Sequence, residues 1–249
     1  MKKIYFPILF ILIIVVACND DDLVPMDNCN PTNGGDLSNI EYDPQDYNLI
    51  VPNSFPDMFI PEDNPLTVDG VNLGRHLFYD PILSADSTMA CANCHLAPGS
   101  FTDNLAVSTG IDGVAGNRSS MSLLNVGFFY TGLFWDGRSM TLEEQALLPV
   151  EDPIELHHEW SDLVPQLRNH GSYPELFRKA FGITNTSEIN KELAAKALAQ
   201  FERTLVSSGN SRFEKIEAIT PGFFYTEACL LYTSPSPRDA TLSRMPSSA

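Results

Sequence analysis

A mainly α-helical domain threaded by long loops is the fold class this sequence predicts, and three observations predict it. Apolar residues recur at helical spacing at Leu73, Leu77 and Phe78, and again at Ile189, Leu193, Ala197, Leu198, Phe201 and Leu205. No stretch alternates apolar and polar residues for long enough to read as a strand. Between the helical stripes lie runs dense in Pro, Asn, Asp and Gly, residues that punctuate rather than extend regular structure.

Taken in order, residues 36–65 lack helical periodicity and read as an extended approach to the core. A helix is expected within 66–79, stopped by Asp80-Pro81. Thr141 can cap a helix starting at Leu142, with Glu144 in the third position of a capping box. Two short helices follow at 160–169 and 173–181, separated by His170-Gly171. The strongest stripe predicts a helix over about 187–206, capped by Thr186 or Ser187.

Cys91-Ala92-Asn93-Cys94-His95 is the single C-x-x-C-H of the chain, and it reads as a covalent haem c attachment site. The two thiols add across the haem vinyl groups as thioethers, and the neighbouring imidazole ligates the iron. A two-residue gap lets one short turn present both sulfurs to the same porphyrin edge. A structural zinc site would need two more Cys or His ligands at compatible spacing. A thioredoxin-like pair would want a βαβ context, whereas the flanks here are Pro-rich and helical. The fold class sharpens to a cytochrome c-like haem domain with long loops, and roughly 175 residues suffice to wrap one haem.

The two ends read differently from the middle. Lys2 and Lys3 precede an apolar run, residues 4–17, shorter than the roughly 20 residues a bilayer span needs. Val15-Val16-Ala17-Cys18 looks like a lipobox, so residues 1–17 are expected to be a lipoprotein signal peptide and Cys18 the lipid anchor. An ordinary secretory signal is the plain alternative. Either places the protein outside the cytoplasm, on the periplasmic or cell-surface side of a bacterial membrane. Residues 18–52 are expected to form an acidic, turn-rich tether and residues 53–228 the haem domain. Residues 229–249 are rich in Ser and Pro, and their codons can be chosen to spell a transposase sequencing adapter. They are expected to be disordered read-through, with the native gene continuing past Ala228.

The whole chain has 249 residues and a net charge of −17. Setting aside Lys2, Lys3, Arg238, Arg244 and Asp239 removes four bases and one acid, leaving 11 basic and 31 acidic residues and a charge of −20. Such acidity argues against nucleic acid and favours encounter with basic partners such as small cytochromes. An acidic secreted surface with no particular partner explains it equally well. Cys29 has no evident partner in the sequence.

From Pro61 to about Thr226 the chain resembles the bacterial di-haem cytochrome c peroxidase and MauG family. The matching segments are Asp63-Asn64-Pro65-Leu66-Thr67, then residues 70–81 from Gly70 through Asp80-Pro81, then the haem motif with Phe101-Thr102-Asp103 after it. Next come Phe134-Trp135-Asp136-Gly137-Arg138, Leu142-Glu143-Glu144-Gln145 and residues 197–205. The resemblance implies two haem c domains in the full protein, one in this chain and one still ahead. It makes the one here the peroxide-reacting domain, reducing hydrogen peroxide to water with electrons from a small cytochrome or similar donor.

The same resemblance assigns roles. His95 would be the proximal iron ligand, and Glu143 the distal acid–base group, typically worth roughly 10²- to 10⁴-fold. Many members fill the sixth iron position with a second His near residues 109–113; Ile111 stands there in this chain, and no His lies between His95 and His157. That leans toward members with an open, MauG-like haem. Leu133 replaces a Gln common before Phe-Trp-Asp-Gly-Arg, which removes one distal hydrogen bond. Ser119 replaces an Asn that helps hold an interdomain calcium, so calcium binding is in doubt.

Plainer roles compete. Glu143 suits a helix first turn by charge alone, and Trp135 and Arg138 suit packing and a buried ion pair to a haem propionate better than direct chemistry. His76, His157, His158 and His170 read as surface or hydrogen-bonded residues. Met121 or Met140 can serve as a sixth ligand or as core filler. Two rival functions stay open: a MauG-like enzyme oxidising a protein or organic substrate, and a lipid-anchored electron carrier. A second copy of the chain is a further candidate partner.

Overall fold

The computed structural model describes residues 35–53 and 55–207. The expected signal peptide, Cys18, Cys29 and the 229–249 tail lie outside the described residues. Among those described there are six α-helices and no strand: α1 (Val68–Tyr79), α2 (Cys91–Cys94), α3 (Leu142–Glu151), α4 (Trp160–Asn169), α5 (Tyr173–Phe181) and α6 (Lys191–Arg203). None of them is long and apolar enough to cross a membrane. Mainly α with long loops is the architecture: residues 95–141 hold only two short 3₁₀ turns between α2 and α3.

Helix α1 begins where Thr67 accepts a bond from the Gly70 N–H, and it ends at Asp80 ahead of Pro81. Asp80 also accepts from the Tyr173 hydroxyl at 2.7 Å, which ties α1 to α5. The main packing axis is α1 against α6, with α3 laid on the other flank of α6. Small residues permit the close crossing. Ala194, Ala195, Ala197 and Ala199 are all buried on α6, and a Cβ at Gly74 of α1 would lie 1.9 Å from the Ala197 carbonyl oxygen. That obstacle is backbone and cannot swing aside. Gly74→Ala is therefore expected to destabilise the domain by about 1–3 kcal/mol or more, read as a lowered urea midpoint at unchanged m-value.

Three sequence expectations meet a correction at element ends. The strongest stripe makes a shorter helix than 187–206, because the Asn190 side chain accepts from the Leu193 N–H at 2.9 Å and starts α6 there. Asn185 and Glu188 close a separate 3₁₀ turn, Thr186–Glu188, ahead of it. At α3, Thr141 does accept from the Glu144 N–H at 3.1 Å, but Glu144 reaches back to the Met140 N–H rather than to that of Thr141. The packed body also starts before residue 53. Leu37 is fully buried, its N–H bonded to the Thr184 carbonyl, and Tyr47 N–H bonds Leu66.

Candidate functional site

The Cys-x-x-Cys-His segment forms a single helical turn. Ala90 precedes it in extended conformation, and the Asn93 side chain accepts from the Ala90 N–H at 2.9 Å, fixing the entry. The His95 N–H bonds the Cys91 carbonyl and closes the turn. Both sulfurs and the imidazole thereby reach one cleft of about 400 Å³. Cys91 and Cys94 are free thiols. Burial pushes the Cys91 thiol up to about 12 and that of Cys94 up to about 11, so both stay protonated near neutrality.

His95 is oriented from behind. Its Nδ1 lies 2.9 Å from the Phe101 carbonyl oxygen, which makes Nδ1 the N–H and leaves Nε2 as the nitrogen free for a metal. Ser100 and Phe101 both adopt left-handed backbone, at φ 61° and 59°. That conformation is uncommon outside glycine, and here it turns the Phe101 carbonyl onto the ring. Phe78 of α1 packs beside His95 and Phe101, with ring centroids 6.4 Å apart in each case. Burial lowers the affinity of His95 for a second proton, against the opposing pull of the Phe101 and Met121 carbonyls. A neutral imidazole is the ligating form.

The rest of the cleft comes from loops and from two helices. Gln145, Ala146, Pro149 and Val150 of α3 face it, as do Leu198 and Glu202 of α6. Thr109 and Gly110 form part of one wall. A Cβ on Gly110 would meet the Ile154 carbonyl at 1.9 Å, so glycine alone lets this loop close on residues 154–155. At the mouth, Arg118 and Arg138 share one carboxylate, Asp136, at 3.2 and 3.1 Å. The two guanidiniums share this one acid directly, with Asp152 and Glu155 further along the same cleft, and their planar forks suit bidentate pairing with carboxylates.

These features fit a haem: two thiols and an oriented imidazole on one wall, a largely apolar interior, and two guanidiniums, Arg118 and Arg138, that would hold its carboxylates. The packing and buried ion pair expected of Trp135 and Arg138 are not found: both side chains are exposed, and Arg138 pairs with Asp136 at the surface. Trp135 is 40% exposed and bonds the Ser119 carbonyl at 2.8 Å, while Arg138 lies over the Phe134 ring, 3.5 Å from its centroid.

The structure brings Cys91, Cys94 and His95 together and leaves Glu143 apart from them. Glu143 is not on the cleft wall. Its two carboxylate oxygens take bonds from Arg203 at 2.8 and 3.1 Å, and one also accepts from Asn64 at 2.6 Å. Burial opposes ionisation, but these partners outweigh it and hold the carboxyl below its usual range. Gln145, two residues on and roughly 200° round the helix, faces the cleft instead.

Neither Gln145 nor Glu202 was assigned a role from sequence. The available signal was the i, i+4 spacing of Leu198 and Glu202 within a buried stripe. Among the described residues His95 is the sole histidine on the cleft wall. His157 pairs with Asp112 at 2.6 Å, His76 contacts the Asn72 carbonyl, His170 bonds Ser172, and His158 is buried beside Gln166. Met121 lines the cleft, whereas Met140 is 63% exposed. The Ile111 N–H is tied to the Glu155 carbonyl at 3.1 Å.

Helices α1 and α6 crossing beside a one-turn Cys-x-x-Cys-His segment define a cytochrome c-type domain. A family model described as di-haem cytochrome c peroxidase matches residues 68–218, and the chain belongs to that family. It is 38% identical over 157 residues to the methylamine utilization protein MauG of Methylophilus methylotrophus, covering 63% of this chain and 45% of that protein. It is 36% identical over 153 residues to the cytochrome c551 peroxidase of Nitrosomonas europaea, covering 61% and 44%. A crystal structure of a MauG-like protein associated with microbial copper homeostasis superposes with a TM-score of 0.62 at 31% identity, over 73% of this chain and 52% of that one. The chain thus spans less than half the length of these curated relatives.

Proposed function

We propose that this chain carries the peroxide-reacting haem c of a di-haem enzyme that reduces hydrogen peroxide to water. The supporting observation is the cleft itself, where Cys91, Cys94 and His95 share one wall and no second histidine faces them among the described residues. Cys91 and Cys94 would hold the haem as thioethers, and His95, oriented by Phe101, would ligate its iron. When bound, the haem supplies a redox centre that delivers electrons one at a time. The overall change, H2O2 + 2 H⁺ + 2 e⁻ → 2 H2O, then needs protons from the chain and electrons from a donor such as a small cytochrome. The second haem of the family would lie in a part of the enzyme outside residues 53–228. The signal-like residues 1–17 and Cys18 support, in this proposal, an enzyme lipid-anchored on the periplasmic or cell-surface side of a bacterial membrane.

Ile111 favours a second reading of the same site, a MauG-like oxidation of a protein or organic substrate. A face without a competing imidazole admits either oxidant chemistry. An electron carrier would instead need a sixth ligand such as Met121.

One experiment separates these. The full chain is matured with haem and mixed with stoichiometric peroxide while absorbance is recorded. A high-spin ferric spectrum that changes on mixing is the expected result. A six-coordinate His/Met spectrum inert to peroxide would overturn both enzyme readings.

A further inference from the structure

Among the described residues, Glu202 is the one buried carboxyl on the cleft wall. It is 6% exposed, and its Oε2 has neither a protein partner nor contact with solvent. It stands one turn beyond Leu198 on α6, and both residues face the cleft that Cys91 and His95 enter from α2. Its charged surroundings are easily enumerated. Arg203 is adjacent on α6, but its guanidinium bonds Glu143 of α3. Glu143 adds negative charge from that side. Around the same cleft lie the Cys91 and Cys94 thiols, the His95 imidazole, Asp152 and Glu155 after α3, and Arg118, Asp136 and Arg138 at the mouth. Helix α1 contributes the uncharged Phe78 to this cleft.

A carboxyl with one oxygen so enclosed and without a donor resists ionisation. Burial does push Glu202 up to about 8, with Arg203 opposing and Glu143 reinforcing. Isolated from bulk water yet open to the cleft, the carboxyl is placed to sense the charge of whatever fills that space.

We infer that Glu202 is a proton-accepting partner of the haem, binding one proton when the cofactor gains one electron and releasing it on reoxidation. This rests on the haem assignment of the cleft. The step balances simply. A one-electron reductant supplies the electron to the haem, and a buffer acid in the solvent outside the cleft supplies the proton, its conjugate base staying in solution. An O–H bond forms on the Glu202 carboxylate, and the same bond breaks when the electron leaves. The added negative charge, felt through a low-dielectric wall, raises the carboxylate's affinity for the proton. Where Glu202 is ionised before reduction, on the alkaline side of neutrality, a proton is thereby stored within the site for a reaction that forms water.

The test is a spectroelectrochemical titration of the full chain with haem attached, from about pH 6 to about pH 10. The wild type is expected to lose about 59 mV of midpoint potential per pH unit over part of this range, the equivalent of one proton per electron. Glu202→Gln, nearly isosteric and permanently neutral, is expected to flatten that dependence while its ferric and ferrous spectra stay unchanged. Redox-difference infrared spectra supply a second readout. A protonated-carboxyl band should appear on reduction of the wild type and be missing in the variant. A flat wild-type potential, or a slope that survives in Glu202→Gln, overturns the inference while leaving the haem assignment standing. Failure of the chain to attach haem overturns both. If the variant does not load, the wild-type slope and infrared band decide the matter alone.

Discussion

His95→Gly is expected to leave the haem attached through Cys91 and Cys94 but to abolish its normal axial ligation, slowing the reaction with peroxide by more than about 100-fold. Loss of a mere outer partner of a metal-bound His already costs 10- to 100-fold, and here the ligand itself is removed. The argument rests on the geometry behind the ring. With Nδ1 held 2.9 Å from the Phe101 carbonyl oxygen, Nε2 is the nitrogen presented to the cleft. No neighbouring histidine on the wall, among the described residues, can substitute. Free imidazole should enter the vacated space and restore part of the original spectrum. Stopped-flow absorbance with and without imidazole checks this. An unchanged ferric spectrum in the variant would remove His95 from the iron. Lower pH should also weaken ligation, since protonation of the ring competes with the metal; burial confines that effect to the acid side of the ordinary histidine range.

What could be read from sequence was what lives in short spans. The haem turn needs five consecutive residues, and α4 and α5 end where Asn169-His170-Gly171 and Gly182 interrupt their stripes. Helix α1 was bounded by Asp80-Pro81 for the same local reason. The amino terminus of α6 was less legible because two caps compete within six residues. Asn185 closes a 3₁₀ turn and Asn190 then opens the helix, and periodicity alone runs through both. Leu37 shows the limit from the other side. It sits in a Pro- and Asp-rich approach with no periodic pattern, yet long-range pairing with Thr184 buries it completely.

The placement of Glu143 was the hardest to foresee, since a motif fixes order along the chain and not the direction a side chain takes from its helix. Its partners come from 79 residues before and 60 residues after it. Glu202 was hidden in the same way, inside a motif whose apolar members explained the helix by themselves.

Glu143→Gln is expected to act first on stability, lowering the free energy of unfolding by about 3 kcal/mol at neutral pH. Arg203 is 3% exposed on its side chain and Glu143 18%, so the pair lies largely out of water. Removing one charge from such a pair leaves the other buried without compensation, at a typical cost of about 3–5 kcal/mol. Gln retains an oxygen for Asn64 or Arg203, which places the effect at the lower end. The pH dependence has a definite sign. Glu143 is held below its unfolded value by Arg203 and Asn64 against the cost of burial. Its contribution is therefore present above the ordinary carboxylate range and lost as pH falls through the lowered value. The gap between wild type and variant should narrow on acidification for that reason. Urea unfolding at several pH values measures it. A distal acid–base role makes a different demand, because the carboxylate would have to leave Arg203 and Asn64 to reach the cleft. If Glu143→Gln keeps wild-type stability while the peroxide reaction slows by roughly 10² or more, the ion pair is not its main duty and the acid–base role stands. If stability falls and the rate of the folded protein is unchanged, Glu143 anchors α3 to α6, and the proton chemistry belongs to groups that face the cleft.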